Sequence, residues 1–446
     1  MVLLPHEGFT VNREGHLELD GFDLVELAER FGTPVYVASE RRLKANFRRL
    51  REAFRKAYPG ETVIAYAVKA NYTLAIIRLL LLEGAWMETF SGPELFMALA
   101  AGTPPERIVL TGGSRLEKDF REALEAGVGL IVVDSPSELA RLNRAAGSLK
   151  VKASILLRVN PAIQVPTHPA IATGVAGSKF GVDLASGAAF QAFKEALNMD
   201  WVNPVGVHTH IGSRILKAEP FVEAAQRLAD FLVELNRELG FEASYLDLGG
   251  GFGIPYHPEE FSCPLNLEEL AGKVSQAIVG KLEGAGLRLP TLILEPGRSL
   301  VGDVEILLAR VGNVKETPQG KIAFLDASTN HLLPVLYTGQ YFELWPANKA
   351  DKPPEETVTF AGPLCFTGDV IAVNRRVPKI EPDDVIVVFS VGAYCKSVYS
   401  FHNAQPRPPS LLLSEHGVEI VQRAETLGDL AARDQIPPRL YRGETP

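Results

Sequence analysis

The sequence predicts an α/β protein in which a (β/α)8 barrel is followed by a mostly β domain. Between residues 62 and 298, eight apolar, strand-like runs alternate with helical segments, which is the pattern of an eight-stranded parallel barrel. After residue 298 the apolar runs are separated by Gly, Pro, Asn and Asp, with few helical patterns between them. The chain of 446 residues is also long enough for more than one core.

These patterns set the expected boundaries. We expect an N-terminal segment over residues 1–34 that packs with the β domain, the barrel over 35–298 and the β domain over 299–446. Because the barrel strands are parallel, their polar carboxyl ends should gather on one rim, where such barrels keep their active sites. The eight strands are predicted in the runs TVIAYAVKAN, AWMETFSG, RIVLTGG, LIVVDS, SILLRVN, PVGVHTHIGS, YLDLGGGFG and TLILEPGR.

Composition and charge argue against several classes of protein. The formal net charge of −9 argues against nucleic-acid binding, because phosphate contacts need clustered Lys and Arg. The three cysteines, Cys263, Cys365 and Cys395, have neither metal-ligand nor disulfide spacing, which favours a reducing cytoplasm. The start of the chain lacks the layout of a signal peptide. The longest apolar run, LAIIRLLLL, is too short for a bilayer, so we expect a cytoplasmic protein without a membrane partner.

A lysine stands at the end of the first predicted barrel strand. In AYAVKAN, Lys69 follows an apolar run and is expected to point at the barrel mouth. Such a lysine either extends to solvent or serves as an amine with a lowered pKa that forms a Schiff base. Lys69 alone does not decide between these two roles.

Two other rim segments have anion-binding character. DLGGGFG, residues 247–253, ends the seventh strand, and consecutive glycines let backbone amides approach an anion closely. EPGR, residues 295–298, ends the eighth strand, and the loops after strands seven and eight are the usual phosphate site of a barrel. A phosphate site and an amine-reactive Lys69 in one mouth together indicate pyridoxal phosphate (PLP).

Histidines and a glutamate complete the predicted site. HTHIGS, residues 208–213, ends the sixth strand. Either its histidines are buried structural residues, or His210 lies flat against a cofactor ring with Ser213 on the phosphate. Glu295 is either an arginine partner or the group that keeps a pyridinium nitrogen protonated, which makes the ring withdraw electrons from the substrate α-carbon.

With these motifs the chain resembles the fold-type III PLP-dependent decarboxylases, most closely the ornithine/diaminopimelate decarboxylase family. The resemblance implies a PLP barrel, a C-terminal β domain, an amino-acid substrate and a head-to-tail homodimer with shared active sites. The matching segments run in family order over nearly the whole chain: YAVKAN, SKFG, HTHIGS, YLDLGGGFGIPY, EPGRSLVG, GPLC with GD close behind, and GAY.

The resemblance also implies residue roles. Lys69 is the Schiff-base lysine, Cys365 is the proton donor, and Tyr394 lies near the cofactor; Cys365 and Tyr394 are expected from the partner subunit. The residues expected to bind the cofactor are Lys69, His210, Ser213, Gly250, Gly251, Glu295, Gly297, Arg298 and Tyr394. The residues expected to contact the substrate are Arg298, Tyr337, Phe366 and Tyr394.

The substrate end departs from the family pattern. In diaminopimelate decarboxylases an acidic residue after the cysteine meets the distal ammonium, but here Phe366 follows Cys365. An arginine that grips the distal carboxylate is replaced by Leu333, before Pro334. Glu88 stands where the family carries an aspartate, a milder change. We therefore expect a substrate without the charged distal group of diaminopimelate, free or linked to a carrier protein.

Several alternatives stay open at this point. A compensating residue among Asn330, His331 and Thr367 would leave the chain a meso-diaminopimelate decarboxylase of lysine biosynthesis. An amino-acid racemase of the same fold is a second alternative, although racemases typically place an arginine against the ring nitrogen, so Glu295 favours decarboxylation. A non-catalytic PLP-binding protein is a third, but such proteins are single barrels. The basic helix over residues 40–58 is either a solvated outer helix or a docking surface for an acidic carrier protein.

Overall fold

The structure, a computed structural model that describes residues 7–440, contains the predicted closed barrel. The first barrel strand pairs in parallel with both the second and the eighth, which closes the ring. Each predicted apolar run forms one strand, because a parallel sheet covered on both faces is apolar throughout. The barrel strands are Thr62–Ala67, Trp86–Thr89, Ile108–Leu110, Leu130–Val133, Ala153–Asn160, Val202–His208, Tyr245–Asp247 and Thr291–Leu294.

Helices cover the outside of the barrel. The helix Glu219–Leu239 buries Phe221, Leu228 and Leu235 on one face and ends at Gly240, whose φ of 66° is the left-handed conformation typical of a helix end. The helices between the barrel strands, and the one before the first strand, are Glu40–Ala57, Leu74–Leu82, Gly92–Ala100, Glu117–Ala126, Pro136–Leu149, Ala188–Leu197, Glu219–Leu239 and Leu267–Gly284.

The second domain is built on a large sheet with a separate core. Its long strand, Glu305–Thr317, pairs antiparallel with Gly320–Leu325 and with Val385–Val388. The other strands after the barrel are Leu344–Pro346, Glu356–Ala361, Val370–Val377, Ser410–Ser414 and Gly417–Gln422. Short helices lie at Arg298–Val301, Pro334–Thr338 and Leu427–Ala431.

The strand Val35–Ser39 belongs to the sheet of the β domain. It pairs antiparallel with Glu305–Thr317 and parallel with Ser410–Ser414. The expected start of the barrel at residue 35 is therefore too early. The chain crosses from one domain to the other along Glu40–Ala57, whose apolar face packs in the barrel core.

The N-terminal segment packs on the β domain. Three short strands, Phe9–Val11, Leu17–Leu19 and Phe22–Asp23, pair antiparallel and lead into the helix Leu24–Phe31. Leu17 and Leu24 lie in the same hydrophobic cluster as the strands of the β domain. The first six and last six residues, which the predicted N-terminal segment and β domain include, lie outside the described residues. Between residues 7 and 440, no helix has the length and apolar character needed to cross a bilayer.

Candidate active site at the carboxyl ends of the barrel strands

The carboxyl ends of the barrel strands bring the predicted charged residues together. Lys69 lies in a single helical turn, Val68–Ala70, directly after the first strand. His208 is the last residue of the sixth strand and Asp247 the last of the seventh, while Glu295 follows the eighth. Because adjacent parallel strands end on one rim, these side chains meet although they are far apart in sequence.

Lys69 is held by a buried carboxylate. Its Nζ forms an ion pair with Glu88 Oε2, and Glu88 Oε1 accepts a hydrogen bond from the Thr111 hydroxyl. Burial lowers the pKa of Lys69, but the charges of Glu88 and Glu295 outweigh burial and hold that pKa above its ordinary value. The expected lowered pKa is therefore wrong for the cofactor-free chain, in which Lys69 is an ammonium.

Glu295 sits in a buried polar cluster. His208 Nε2 lies 3.3 Å from Glu295 Oε2, and both side chains are almost fully buried together with Asp247. Burial raises the pKa of Glu295, and burial together with the Glu295 charge raises the pKa of Asp247 well above its usual range. Within residues 7–440, Glu295 Oε1 and Asp247 Oδ2 have no hydrogen-bond partner. Unpartnered buried oxygens are costly, so this cluster fits a ligand that brings a proton, such as a protonated ring nitrogen.

His210 is oriented by the glycine loop. Its Nδ1 accepts a hydrogen bond from the backbone N–H of Gly250 at 3.0 Å, so the ring carries its proton on Nε2. Burial lowers the pKa of His210 well below its ordinary value, and the ring is neutral. A Cβ on Gly250 would collide with the backbone oxygen of Glu295, and Gly251 has a φ of 106°. Only glycine fits these positions, and their backbone is open to close approach by an anion.

Arg298 is a buried cation whose hydrogen bonds among the described residues involve hydroxyl and amide groups and no carboxylate. Its Nη1 donates to the Tyr256 hydroxyl at 2.8 Å and to Gln340 Oε1 at 3.3 Å, while its Nε lies 3.5 Å from Ser213 Oγ. Gln340 Nε2 has no hydrogen-bond partner in the chain between residues 7 and 440. A buried arginine needs an anion, so Arg298 fits a phosphate or carboxylate. Sequence reasoning assigned no role to Tyr256, although it ends the segment YLDLGGGFGIPY, and it missed Gln340, which no motif marks.

Tyr394 lies at the site of its own chain. Its backbone N–H donates to the Ala70 oxygen at 2.8 Å, and the Arg298 guanidinium lies 4.8 Å from the centre of its ring. A Cβ on Gly297 would be 3.5 Å from the Tyr394 hydroxyl. The expectation that Tyr394 comes from the partner subunit is therefore wrong: the β domain folds back onto the rim of the same barrel.

The remaining predicted residues are not brought to this cluster. Cys365 is exposed, and it forms polar contacts with His402 and Asn403 of the β domain. Phe366 and Tyr337 are 38% and 63% exposed. The single chain thus assembles the lysine, the carboxylates and the arginine, but leaves the predicted proton donor elsewhere on its surface.

The predicted basic docking helix is largely neutralised within the chain. Arg41 pairs with Asp20 at 2.7 Å, and Arg48 pairs with Glu83 at 2.6 Å. Arg42, Lys44, Arg55 and Lys56 of the same helix also have carboxylate partners. This face therefore carries little net charge with which to attract an acidic carrier protein.

The comparison with protein families identifies the kind of site that these residues form. The model described as the pyridoxal-binding domain of pyridoxal-dependent decarboxylases matches residues 43–302. The chain belongs to the pyridoxal-dependent decarboxylase family. It is 40% identical to the diaminopimelate decarboxylase of Methanocaldococcus jannaschii, over 96% of this chain and 97% of that protein. It is also 40% identical to that of Methanothermobacter thermautotrophicus, over 97% and 98% of the two chains.

Solved structures of diaminopimelate decarboxylases are also similar to this decarboxylase. The crystal structure of the M. jannaschii diaminopimelate decarboxylase matches with a TM-score of 0.89 and 39% identity, over 98% of this chain and 100% of that one. The Helicobacter pylori diaminopimelate decarboxylase complexed with L-lysine matches with a TM-score of 0.83 and 32% identity, over 91% and 98%.

This decarboxylase is a PLP-dependent carboxy-lyase, and the open alternatives of a racemase and a non-catalytic PLP protein are set aside. The residues present fit the cofactor. The unpartnered Glu295 Oε1 suits a ring proton, the uncompensated Arg298 suits an anion, and the glycine loop leaves room for a phosphate.

Proposed function

We propose that this decarboxylase acts on an α-amino acid whose distal end lacks the ammonium-plus-carboxylate pair of diaminopimelate. The observation that carries the proposal is the pair of apolar residues, Phe366 and Leu333, at the positions where the family contacts that distal end. A phenyl ring offers no anionic oxygen to an ammonium, and a leucine offers no donor to a carboxylate.

None of the three candidates for compensation brings a charge to the distal end of the substrate. Asn330 is 1% exposed and donates through Nδ2 to the His402 backbone oxygen at 2.9 Å. His331 is 2% exposed, and its Nδ1 accepts from the Ser328 backbone N–H at 3.1 Å. Burial lowers the pKa of His331 to about 4, so it has no charge at neutral pH with which to hold a distal carboxylate. Thr367 is exposed, and a hydroxyl replaces neither missing charge.

The barrel residues hold the cofactor in this proposal. Lys69 would bind it covalently through its amine, Glu295 would accept a hydrogen bond from the protonated ring nitrogen and keep it protonated, and neutral His210 would lie against the ring. Ser213, Gly250, Gly251 and Gly297 hold the phosphate, and Tyr394 lies beside it. When bound, PLP withdraws electrons from the substrate α-carbon so that the carboxylate can leave as carbon dioxide.

Residues of the chain itself would bind the charged groups and supply the proton when carbon dioxide leaves. Glu88, the partner of Lys69 in the cofactor-free chain, would hold the Lys69 amine as an ammonium whenever that amine is not bound to the cofactor. Arg298 binds an anionic group, either the phosphate or a substrate carboxylate. Cys365 of a second copy of the chain then returns a proton to the α-carbon. We propose a homodimer with shared sites because Cys365 and Phe366 are exposed on the β domain, outside their own chain's cluster.

A second candidate is meso-diaminopimelate itself. The full-length identity of 40% to enzymes named diaminopimelate decarboxylase favours it. In that case other residues must supply the distal contacts. Each charge partner missing from a closed site costs about 2–5 kcal/mol, and even the lower figure is roughly thirtyfold in specificity. The two candidates therefore predict clearly different substrate preferences.

The test is carbon dioxide release, measured as kcat/KM over a panel of amino acids. The panel includes meso-diaminopimelate, amino acids with neutral or single-charge distal ends, and amide-linked forms that mimic a carrier-bound substrate. We expect diaminopimelate to be a poor substrate and Phe366→Glu to raise its kcat/KM by at least about tenfold. Phe366→Leu is the matched control, which removes the ring without adding a charge. If the unmodified protein prefers diaminopimelate at ordinary enzyme efficiency, the second candidate replaces the first.

A further inference from the structure

The thiol of Cys365 is paired with a histidine on a neighbouring loop. Cys365 Sγ lies 3.8 Å from His402 Nε2. Asn403 holds the same residue from both sides, because its Nδ2 donates to Cys365 Sγ at 3.1 Å and its Oδ1 accepts from the Cys365 backbone N–H at 3.0 Å. The imidazole nitrogen and the amide donor are therefore both within reach of the Cys365 sulfur.

Cys365, His402 and Asn403 are exposed, and a buried residue anchors the loop that carries the last two. Asn330, which is 1% exposed, donates to the backbone oxygen of His402 at 2.9 Å and so anchors the loop. Asn403 adopts a left-handed φ of 56°, which turns the chain at the point where its amide meets Cys365. The ring of Phe366 stands edge-on to the His402 ring at 5.4 Å. Two loops separated by more than thirty residues are thereby held together.

We propose that His402 is the proton relay for Cys365: it returns a proton to the Cys365 sulfur each time the thiol has given one up. The inference rests on the proposed function, in which Cys365 protonates the substrate α-carbon. In that step the S–H bond breaks, a C–H bond forms and a thiolate remains. The Nε2–H bond of the His402 imidazolium then breaks as the S–H bond reforms, and His402 takes its next proton from water.

Asn403 has a separate task in this scheme. Its Nδ2 donor points at the sulfur and holds the thiolate until the proton arrives, since a hydrogen bond to a charged acceptor is stronger than one to a neutral acceptor. Asn403 is therefore a positioning residue, and His402 is the group that carries the proton. Without His402, the thiolate must recover its proton from solvent after every turnover.

The test compares thiols within one sample of the loaded protein. Iodoacetamide at pH 7.5 is added, and the alkylation rates of Cys365 and of the exposed Cys263 are followed by peptide mass spectrometry. We expect His402→Gln to slow the alkylation of Cys365 by about tenfold while leaving the rate of Cys263 unchanged. His416→Gln, on an exposed hairpin with a side chain 79% exposed, is the matched control and should change neither rate.

A steady-state measurement on the preferred substrate completes the test. We expect His402→Gln to lower kcat by roughly tenfold to a hundredfold with KM little changed. An unchanged ratio of the Cys365 and Cys263 rates in His402→Gln would overturn the pairing, and a slower thiol with an unchanged kcat would overturn the relay. A protein that releases no carbon dioxide from any amino acid, although His402→Gln still slows the alkylation of Cys365, would overturn the proposed function and the relay with it.

Discussion

Replacing Glu88 with glutamine should make Lys69 bind PLP faster at neutral pH. In the cofactor-free chain Lys69 is an ammonium because the charges of Glu88 and Glu295 outweigh the effect of burial on its pKa. Only the neutral amine can attack the aldehyde of the cofactor. Glu88→Gln keeps the shape and the hydrogen bond to Thr111 but removes one of the two charges, so the pKa of Lys69 falls and its neutral fraction rises.

The size of the effect follows from the ion pair. Two unit charges about 4 Å apart interact by about 4 kcal/mol at an effective dielectric constant of 20. Lys69 is 30% exposed, so we take about half of that figure, ~2 kcal/mol, for solvent screening. This corresponds to roughly 1.5 pKa units. The neutral fraction should then rise by about thirtyfold, and the loading rate by about tenfold because a less basic amine is a weaker nucleophile.

The assay is the absorbance change when PLP is added to the cofactor-free protein at pH 7.5. Borohydride reduction and peptide mass spectrometry then locate the bound cofactor, which we expect on Lys69 alone. Glu88→Asp is the matched control, since it keeps the charge and should load within a few-fold of the unmodified protein. A Glu88→Gln protein that loads no faster than the unmodified one would refute the assignment of Lys69 as an ammonium held by Glu88.

Two further predictions concern the carboxylate that faces the ring nitrogen and the sharing of sites between two copies. Glu295→Gln should still form the borohydride-stable adduct on Lys69 but lose at least about a hundredfold in kcat, because the ring nitrogen no longer faces a carboxylate; a kcat within a few-fold of the original would contradict this role. Mixing inactive Lys69→Ala and Cys365→Ala chains should restore up to about a quarter of the activity, since half of the dimers are hybrids with one intact site of two. No recovery after proven subunit exchange would count against shared sites.

The barrel was predictable because its sequence signal is local. Strands buried on both faces are continuous apolar runs, and each of the eight runs is bounded by polar or glycine residues. VYVAS, residues 35–39, has the same apolar character, yet it pairs in the other sheet. The local composition indicates that a strand is buried, but it does not indicate which strands it pairs with. The predicted start of the barrel at residue 35 was therefore wrong.

The sequence predicted the site residues that the barrel topology brings together. It missed the contacts that form only when the β domain packs on the barrel or when two of its loops meet. Lys69, His210 and Glu295 follow parallel strands and therefore share one rim. Gln340 reaches Arg298 from a loop of the β domain, and His402 reaches Cys365 across two loops. No sequence motif could specify either pair, because the distance between the two side chains depends on how the β domain folds.

The exposed aromatic residues give the strongest argument for a second copy at the site. Phe366 is 38% and Tyr337 63% exposed, whereas most large aromatic side chains of both cores are fully buried. Exposed aromatic residues are enriched at protein interfaces, and Phe366 adjoins the Cys365–His402 pair. The barrel mouth has a lysine, carboxylates and an arginine, but its described residues include no thiol free to donate a proton: Cys395, near Arg298, is buried, and burial raises the pKa of its thiol. A second copy that covers Phe366 with its own barrel mouth would supply each site with the group that it lacks.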